Sequence, residues 1–217
     1  MAARPVQAPL SGAALRANRL GVLGGSFDPP HLGHLHAARR AREAFALEHV
    51  VFVPAARPPH KPERILAGAT ERLEMLALLL EGEPDVSVWD VELARSGPSY
   101  SVDTLRELRA RLSAAARLYL ILGEDNLAGF ARWSEVEELV RLAQPVVVQR
   151  SESARAPAPE LSPFARTRLA LGRLTCPTFD ASSTELRAEL ALGRLPEERL
   201  PPRLRAYLGA CALYGRP

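Results

Sequence analysis

Residues 20–54 read LGVLGGSFDPPHLGHLHAARRAREAFALEHVVFVP, and this stretch decides the fold. Leu20 to Leu23 is a short apolar run stopped by Gly24 and Gly25, the pattern of a buried strand. Gly33 to Leu47 then sets Leu35, Ala38, Ala41 and Phe45 at helical spacing, and Val50 to Val53 is a β-branched run closed by Pro54. Strand, helix and strand in so short a stretch predict a βαβ unit with parallel strands and a right-handed crossover.

The same rhythm continues outward. Helices are expected at Thr70–Leu80, where Thr70 can cap, and at Ser101–Leu112 and Ser134–Leu142. Strands are expected at Val86–Val91, despite its poor period, and at Leu118–Leu122 and Pro145–Gln149. Ser182–Leu192 and Pro201–Leu213 close the chain as helices, and the Ser-, Ala- and Pro-rich run Ser151–Pro163 reads as a surface loop. Alternation of this kind predicts an α/β fold, a Rossmann-like doubly wound parallel sheet covered on both faces, with C-terminal helices. The 217 residues fit a single domain spanning 19–217. The first acid is Asp28, so residues 1–18 are basic and acid-free; Pro5 and Pro9 break them too early for an amphipathic transit peptide. A disordered, dispensable tail is expected there.

Composition removes several functions. The longest apolar run, Met75–Leu80, is far too short to span a bilayer, so no membrane role is expected. Only Cys176 and Cys211 are present, without a CxxC pair, which argues against a disulfide scaffold or a thiol-rich zinc module and for a cytoplasmic protein. The net charge of +3 comes from arginines scattered among acids at helical spacing, with no basic run interleaved with aromatics, so no nucleic-acid partner is expected. Oligomeric state is left open, and a homo-oligomer is compatible with all of this.

Ligands of parallel sheets bind beyond the carboxyl ends of the strands, so the loops there matter most. The loop after the first strand, GGSFDPPHLGHL, is neither a dinucleotide fingerprint nor a Walker A loop: GxGxxG and GK[ST] are both missing. It carries His31 and His34 three residues apart, flanking Gly33 where a helix begins. Such residues share a helix face, and the unpaired N–H groups and dipole at a helix start attract an anion. Two imidazole donors added there suit a phosphate whose charge grows during reaction. A metal site from His31, His34 and His36 is the alternative, without thiol support and with Asp28 the nearest acid; no resident metal is expected.

GGSFDPPHLGHL resembles the HxGH signature of the nucleotidyltransferase superfamily. Within it, VPAARPPHKP (53–62), PSYSVDTL (98–105), LILGEDNLAGFARW (120–133), SSTELR (182–187) and PPRLRAYLGACALY (201–214) resemble, in order, the motifs of bacterial nicotinate-nucleotide adenylyltransferases. The resemblance covers nearly all of residues 20–214. It implies transfer of an adenylyl group from ATP to nicotinate mononucleotide in NAD biosynthesis, with Mg2+ accompanying ATP. It also implies catalytic roles for His31, His34 and Arg187, and ATP contacts from Gly24, Gly25, Ser26, Phe27, Gly33, Gly123, Asp125, Ser182, Ser183 and Thr184. Lys61, Tyr100, Ser101 and Trp133 would bind the mononucleotide.

Each assignment has an ordinary alternative. SSTELR could be a plain capping box, Lys61 a solvated loop lysine, and Trp133 a core aromatic. Two positions depart from the family pattern. Ser101 stands where threonine is usual, which keeps the hydroxyl, and Gln149–Arg150 runs into Ser151 rather than Pro-Gly, so no Arg150 contact is carried over.

Overall fold

In a computed structural model, which describes residues 7–59, 66–149, 160–176, 179, 181–211 and 213–215, the expected alternation is realised. The elements are α1 (Gly12–Arg16), β1 (Arg19–Gly25), α2 (Leu32–Phe45), β2 (His49–Pro54), α3 (Ala69–Leu79), β3 (Val86–Val88), α4 (Val91–Ala94) and α5 (Ser101–Arg111). They continue with β4 (Arg117–Gly123), a 3-10 stretch (Glu124–Arg132), α6 (Val136–Leu142), β5 (Ala143–Gln149), α7 (Pro163–Leu171), β6 (Arg173–Thr175), α8 (Ser183–Ala191) and α9 (Pro202–Cys211). The six strands form one sheet in the order β3-β2-β1-β4-β5-β6, every neighbouring pair parallel. This is the order of a doubly wound dinucleotide-type sheet, in which the chain reverses its direction of winding between β1 and β4.

Strand alternation explains why both faces are covered. Val51 and Val53 join Leu118, Leu120 and Leu122 in a core closed by Leu105 and Leu108 of α5 and Leu139 of α6. Val50 and Phe52 point the other way, with Tyr119, Ile121 and Val146, into a core closed by Leu35 and Ala38 of α2, Met75 and Leu76 of α3, and residues of α8 and α9. Residues buried on alternate faces give near-continuous apolar strands, as a two-sided sheet requires.

Residues 7–18 are not the loose tail expected. Ser11 caps α1 by accepting the Ala14 N–H (3.1 Å), Ala14 and Ala17 are buried in the first core, and Ala8 exchanges hydrogen bonds with Asp90. The helix is held by docking rather than by its own propensity, since five residues are too few to be stable alone. Val86–Val91 also divides: the strand stops at Val88, and Val91 opens α4. Lys61, Arg150 and most of the loop expected at 151–163 lie outside the described residues. Among the described residues no helix is long and apolar enough to cross a membrane.

Candidate functional site

At the carboxyl ends of β1 and β4 a cleft of about 620 Å³ opens. It is the place where an open parallel sheet leaves a crevice at its topological switch. It is lined by Gly24, Gly25, Ser26, His31, Gly33 and His34 from β1, the loop after it and the start of α2, by Gly123, Asp125 and Trp133 from β4 and the stretch after it, by Tyr100 and Ser101 at the start of α5, and by Ser182, Ser183, Thr184 and Arg187 from α8 and its cap. The three most widely separated motifs thus meet in one space. Phe27 is the exception: its side chain is fully buried, and its expected contact to ATP gives way to a supporting one. It holds a φ of 49°, strained for an aromatic residue, and its ring meets the edge of the His34 ring at 4.9 Å.

The two histidines are held as a unit. Their rings pack at 3.8 Å, and the His31 backbone N–H donates to His34 Nδ1 at 3.2 Å. An accepting Nδ1 places the His34 ring proton on Nε2, so the imidazole is a donor through its outer nitrogen. Glycine between them is a steric need: a Cβ at Gly33 would lie 2.9 Å from His31 Nδ1. A Cβ at Gly24 would meet nothing within 4 Å, which marks that side as open space.

Below the histidines the loop is anchored by buried charge. Asp28, 2 % exposed, accepts hydrogen bonds from the N–H groups of Leu66 and Ala67 (2.8 and 3.0 Å) and from the Tyr214 hydroxyl (2.6 Å). Burial, with the Asp28 carboxylate beside it, drives the Tyr214 phenol far above its ordinary range. Arg72, also buried, donates to the carbonyls of Ser26 (2.9 Å) and Ala55 (2.7 Å). Burial pulls its pKa down and Asp28 opposes that, but a guanidinium stays charged. One network therefore fixes the ends of β1 and β2, the chain before α3 and Tyr214, three residues beyond α9.

Three helices start at this cleft. Leu32 opens α2; Ser101 opens α5; Ser183 opens α8. The N–H groups of Ser101 and Val102 find no acceptor among the described residues, while Asp103 and Thr104 donate back to the Tyr100 carbonyl. At α8, Ser182 makes no side-chain cap, so the plain capping box is not formed. Instead Ser183 Oγ donates to the Pro29 carbonyl (2.9 Å) and Arg187 Nη1 to the Asp28 carbonyl (2.8 Å), strapping α8 to the histidine loop. Trp133 packs on Phe130 at 5.3 Å yet remains on the cleft wall, so it is both a core aromatic and a cleft residue.

Sequence reasoning missed several neighbours, and named His36 only as a possible metal ligand. His36 stacks on Phe179 (5.7 Å) at the cleft, and Arg132, Ser99 and the buried Glu92 line it as well. Burial lifts Glu92 above the usual carboxylate range even though Thr104 and Arg95 favour its charged form. Among the described residues no group of three or more His, Cys, Asp or Glu side chains gathers as a metal-binding set.

The chain matches the cytidylyltransferase-like family over residues 22–189. It is 41% identical over 196 residues to a protein of Thermus thermophilus named probable nicotinate-nucleotide adenylyltransferase, covering 90% of this chain and 99% of that one. The chain belongs to the nicotinate-nucleotide adenylyltransferase family. A relative of the same name in Dehalococcoides mccartyi is 37% identical over 199 residues, covering 91% of this chain and 98% of the relative. In fold, the chain resembles the Plasmodium falciparum nicotinic acid mononucleotide adenylyltransferase complexed with NaAD, at a TM-score of 0.69 and 17% identity, covering 90% of this chain and 97% of that one. Members of this family are enzymes with a Rossmann-like sheet, and this chain shares that sheet.

Proposed function

We propose that the chain transfers the adenylyl group of ATP to nicotinate mononucleotide, giving nicotinate adenine dinucleotide and pyrophosphate for NAD biosynthesis in the cytoplasm. The observation that carries this reading is the meeting of three helix starts and the paired histidines around one cleft. Such a place stabilises the several negative charges of a triphosphate and a mononucleotide. The phosphate oxygen of the mononucleotide forms a bond to the α-phosphorus, the α–β phosphoanhydride bond breaks, and pyrophosphate leaves with the electron pair. The attacking oxygen is already an anion, so no protein nucleophile is needed. Catalysis is positioning plus stabilisation of charge on the α-phosphate and leaving group.

In this reading His31 and His34 donate to the phosphates, and Arg187 with the start of α8 holds the triphosphate from the other side. Gly24, Gly25, Ser26, Gly33 and Gly123 let the nucleotide approach backbone, and Asp125 orients its hydroxyls. Trp133 stacks on the pyridine ring; Tyr100 and Ser101 receive its carboxylate; Lys61 approaches a phosphate. Magnesium would arrive with the triphosphate, supplying charge neutralisation there. The described donors suit this role, since Asp125 offers one carboxylate at the cleft wall but no closed cage surrounds it.

The test is pyrophosphate release from ATP with nicotinate mononucleotide, compared with phosphopantetheine and glycerol phosphate as acceptors. Release with the mononucleotide alone is expected. Release with another acceptor would move the chain to a different branch of the superfamily, and release with none would make it a binding module.

A further inference from the structure

Arg72 of α3 is 3 % exposed, a rare place for a guanidinium. Its Nη1 donates to the Ser26 carbonyl at 2.9 Å and to the Ala55 carbonyl at 2.7 Å, while its Nε has no partner among the described residues. A buried donor left unmet weakens a fold, so this is a poor arrangement for stability alone. What it does fix is position. The β1–β2 ladder ends at Gly25 and Pro54, and the Ala55 N–H adds one more bond, to the Gly25 carbonyl (2.9 Å). The Ser26 and Ala55 carbonyls lie past that ladder, and Arg72 donates to both. Ser26 leads into the strained Phe27, and the Ser26 carbonyl carbon is one end of the torsion that measures 49° there. Asp28, on the other side, is held by the N–H groups of Leu66 (2.8 Å) and Ala67 (3.0 Å). A left-handed φ in a bulky residue persists only where its surroundings leave no alternative. In that conformation the buried Phe27 ring lies against Gly25, where a Cβ would come within 3.2 Å of it, and meets the His34 ring at 4.9 Å.

We infer that Arg72 is a positioning residue for turnover: by holding the Ser26 and Ala55 carbonyls together it keeps Phe27 in its left-handed conformation, with its ring against His34. This rests on the reading that His34 donates to the reacting phosphates. Without the guanidinium the Ser26–Phe27 peptide is free to turn, the φ of Phe27 relaxes to a negative value, and the ring leaves His34. The imidazole then loses the wall that aims its Nε2 proton, and its Nδ1 drifts from the His31 N–H that now donates to it at 3.2 Å. Arg72 does not line the cleft, so it acts through Ser26 and Phe27 and not on substrate.

The experiment uses the full chain and three variants, Arg72→Met, Phe27→Gly and Tyr214→Phe. Methionine fills the space without donors, and glycine keeps the positive φ while removing the ring. Tyr214→Phe disturbs Asp28 but leaves both carbonyls on Arg72, so it controls for a merely loosened anchor. Two readouts are taken: kcat and KM for ATP and nicotinate mononucleotide, and the ring-nitrogen NMR shifts of His34 without ligand, at a pH where the imidazole is neutral. In the wild type the shifts should show one tautomer, with the proton on Nε2. Arg72→Met and Phe27→Gly should each lower kcat about 10- to 100-fold, the scale of a displaced catalytic group, with both KM values little changed. Both should also mix the His34 tautomers and draw the two nitrogen shifts together. Tyr214→Phe should lower the melting temperature and leave kcat and the shifts as in the wild type. If Arg72→Met does not fold, Phe27→Gly still tests the path: wild-type kcat and a single tautomer there would overturn the inference. So would an Arg72→Met protein with wild-type kcat and shifts, or an equal loss of kcat in Tyr214→Phe. Wild-type protein without turnover of nicotinate mononucleotide would instead defeat the proposed function, and the ligand-free shifts would still judge the positioning.

Discussion

The two ends of the sheet use the same chemistry to opposite ends. At the carboxyl end, His31 and His34 stand with hydroxyls and three helix starts around open space. At the amino end, His49 sits under α1, 4 % exposed, with its Nε2 2.8 Å from Ser87 Oγ and 3.4 Å from Ser11 Oγ; Asp85 and Arg42 are the charges it feels. Ser11 and Ser87 also bond each other at 3.2 Å. Histidine with hydroxyls is thus no sign of catalysis by itself. What differs is where the hydrogen bonds lead: at the amino end they close on other protein groups and hold α1 down, and at the carboxyl end the N–H of Ser101, which lines the cleft, and that of Val102 beside it find no acceptor among the described residues.

The sharpest break between the ends should come from exchanging the damage. His34→Ala should lower turnover by about 10²–10³ with little loss of melting temperature, the usual result of removing a preorganised donor to a developing anion. His31→Ala should behave alike. Steady-state kinetics beside thermal denaturation checks both, and near wild-type turnover in either variant would remove that histidine from the chemistry.

Deleting residues 1–18 should do the reverse. It exposes the face that Ala14 and Ala17 cover and strips Ser11 from His49, so stability should fall by about 2–3 kcal/mol. kcat should hold below the new melting point; unchanged denaturant midpoints would mean that α1 contributes nothing. The anchor beneath the histidines lies between these extremes. Tyr214→Phe leaves Asp28 its two amide donors and removes one charge-assisted bond, about 1–2 kcal/mol in a urea titration.

The smallest effect is the pH dependence of the amino end. Burial holds the His49 pKa below its ordinary value, with Arg42 adding to that and Asp85 opposing it. The unfolded chain then binds the proton more readily, so stability is full above about pH 6.5 and declines as pH falls through and below it, by at most about 1.4 kcal/mol per pH unit. His49→Gln should flatten this slope over pH 5–7. An unaltered slope would assign the acid sensitivity to other groups.

How much of this was legible in the sequence differs between the ends too. The βαβ start, the sheet and most of the cleft lining follow from Leu20–Pro54 and the loops after each strand, because apolar periodicity and strand ends are local signals. α1 was not legible: GAALR is short, follows two prolines in an acid-free run, and folds only because a core is there to receive Ala14. The 3-10 stretch Glu124–Arg132 and the three-residue edge strand β6 are likewise too irregular or too short for a period to appear. In the site, Phe27 read as a ligand contact because it sits within a ligand-binding motif, whereas its ring props His34. Glu92 and Arg72 gave no signal, since a charged residue in a helix pattern, as at Arg72, or just past an expected strand, as at Glu92, reads as solvent-facing until tertiary packing buries it. Ser99 and Arg132 lie inside two of the quoted motifs, and those were the neighbours that could have been suspected.

The claim that the open amides at the carboxyl end serve an anionic substrate is tested most directly by competition. Equimolar nicotinate and nicotinamide mononucleotides are offered to the wild-type protein with limiting ATP, and the two dinucleotide products are separated and counted. A carboxylate accepts from the donors near Ser101 without remainder, whereas an amide brings its own N–H groups against them. The expected result is a preference of about a hundredfold or more for the nicotinate product. Equal amounts of the two products would contradict it.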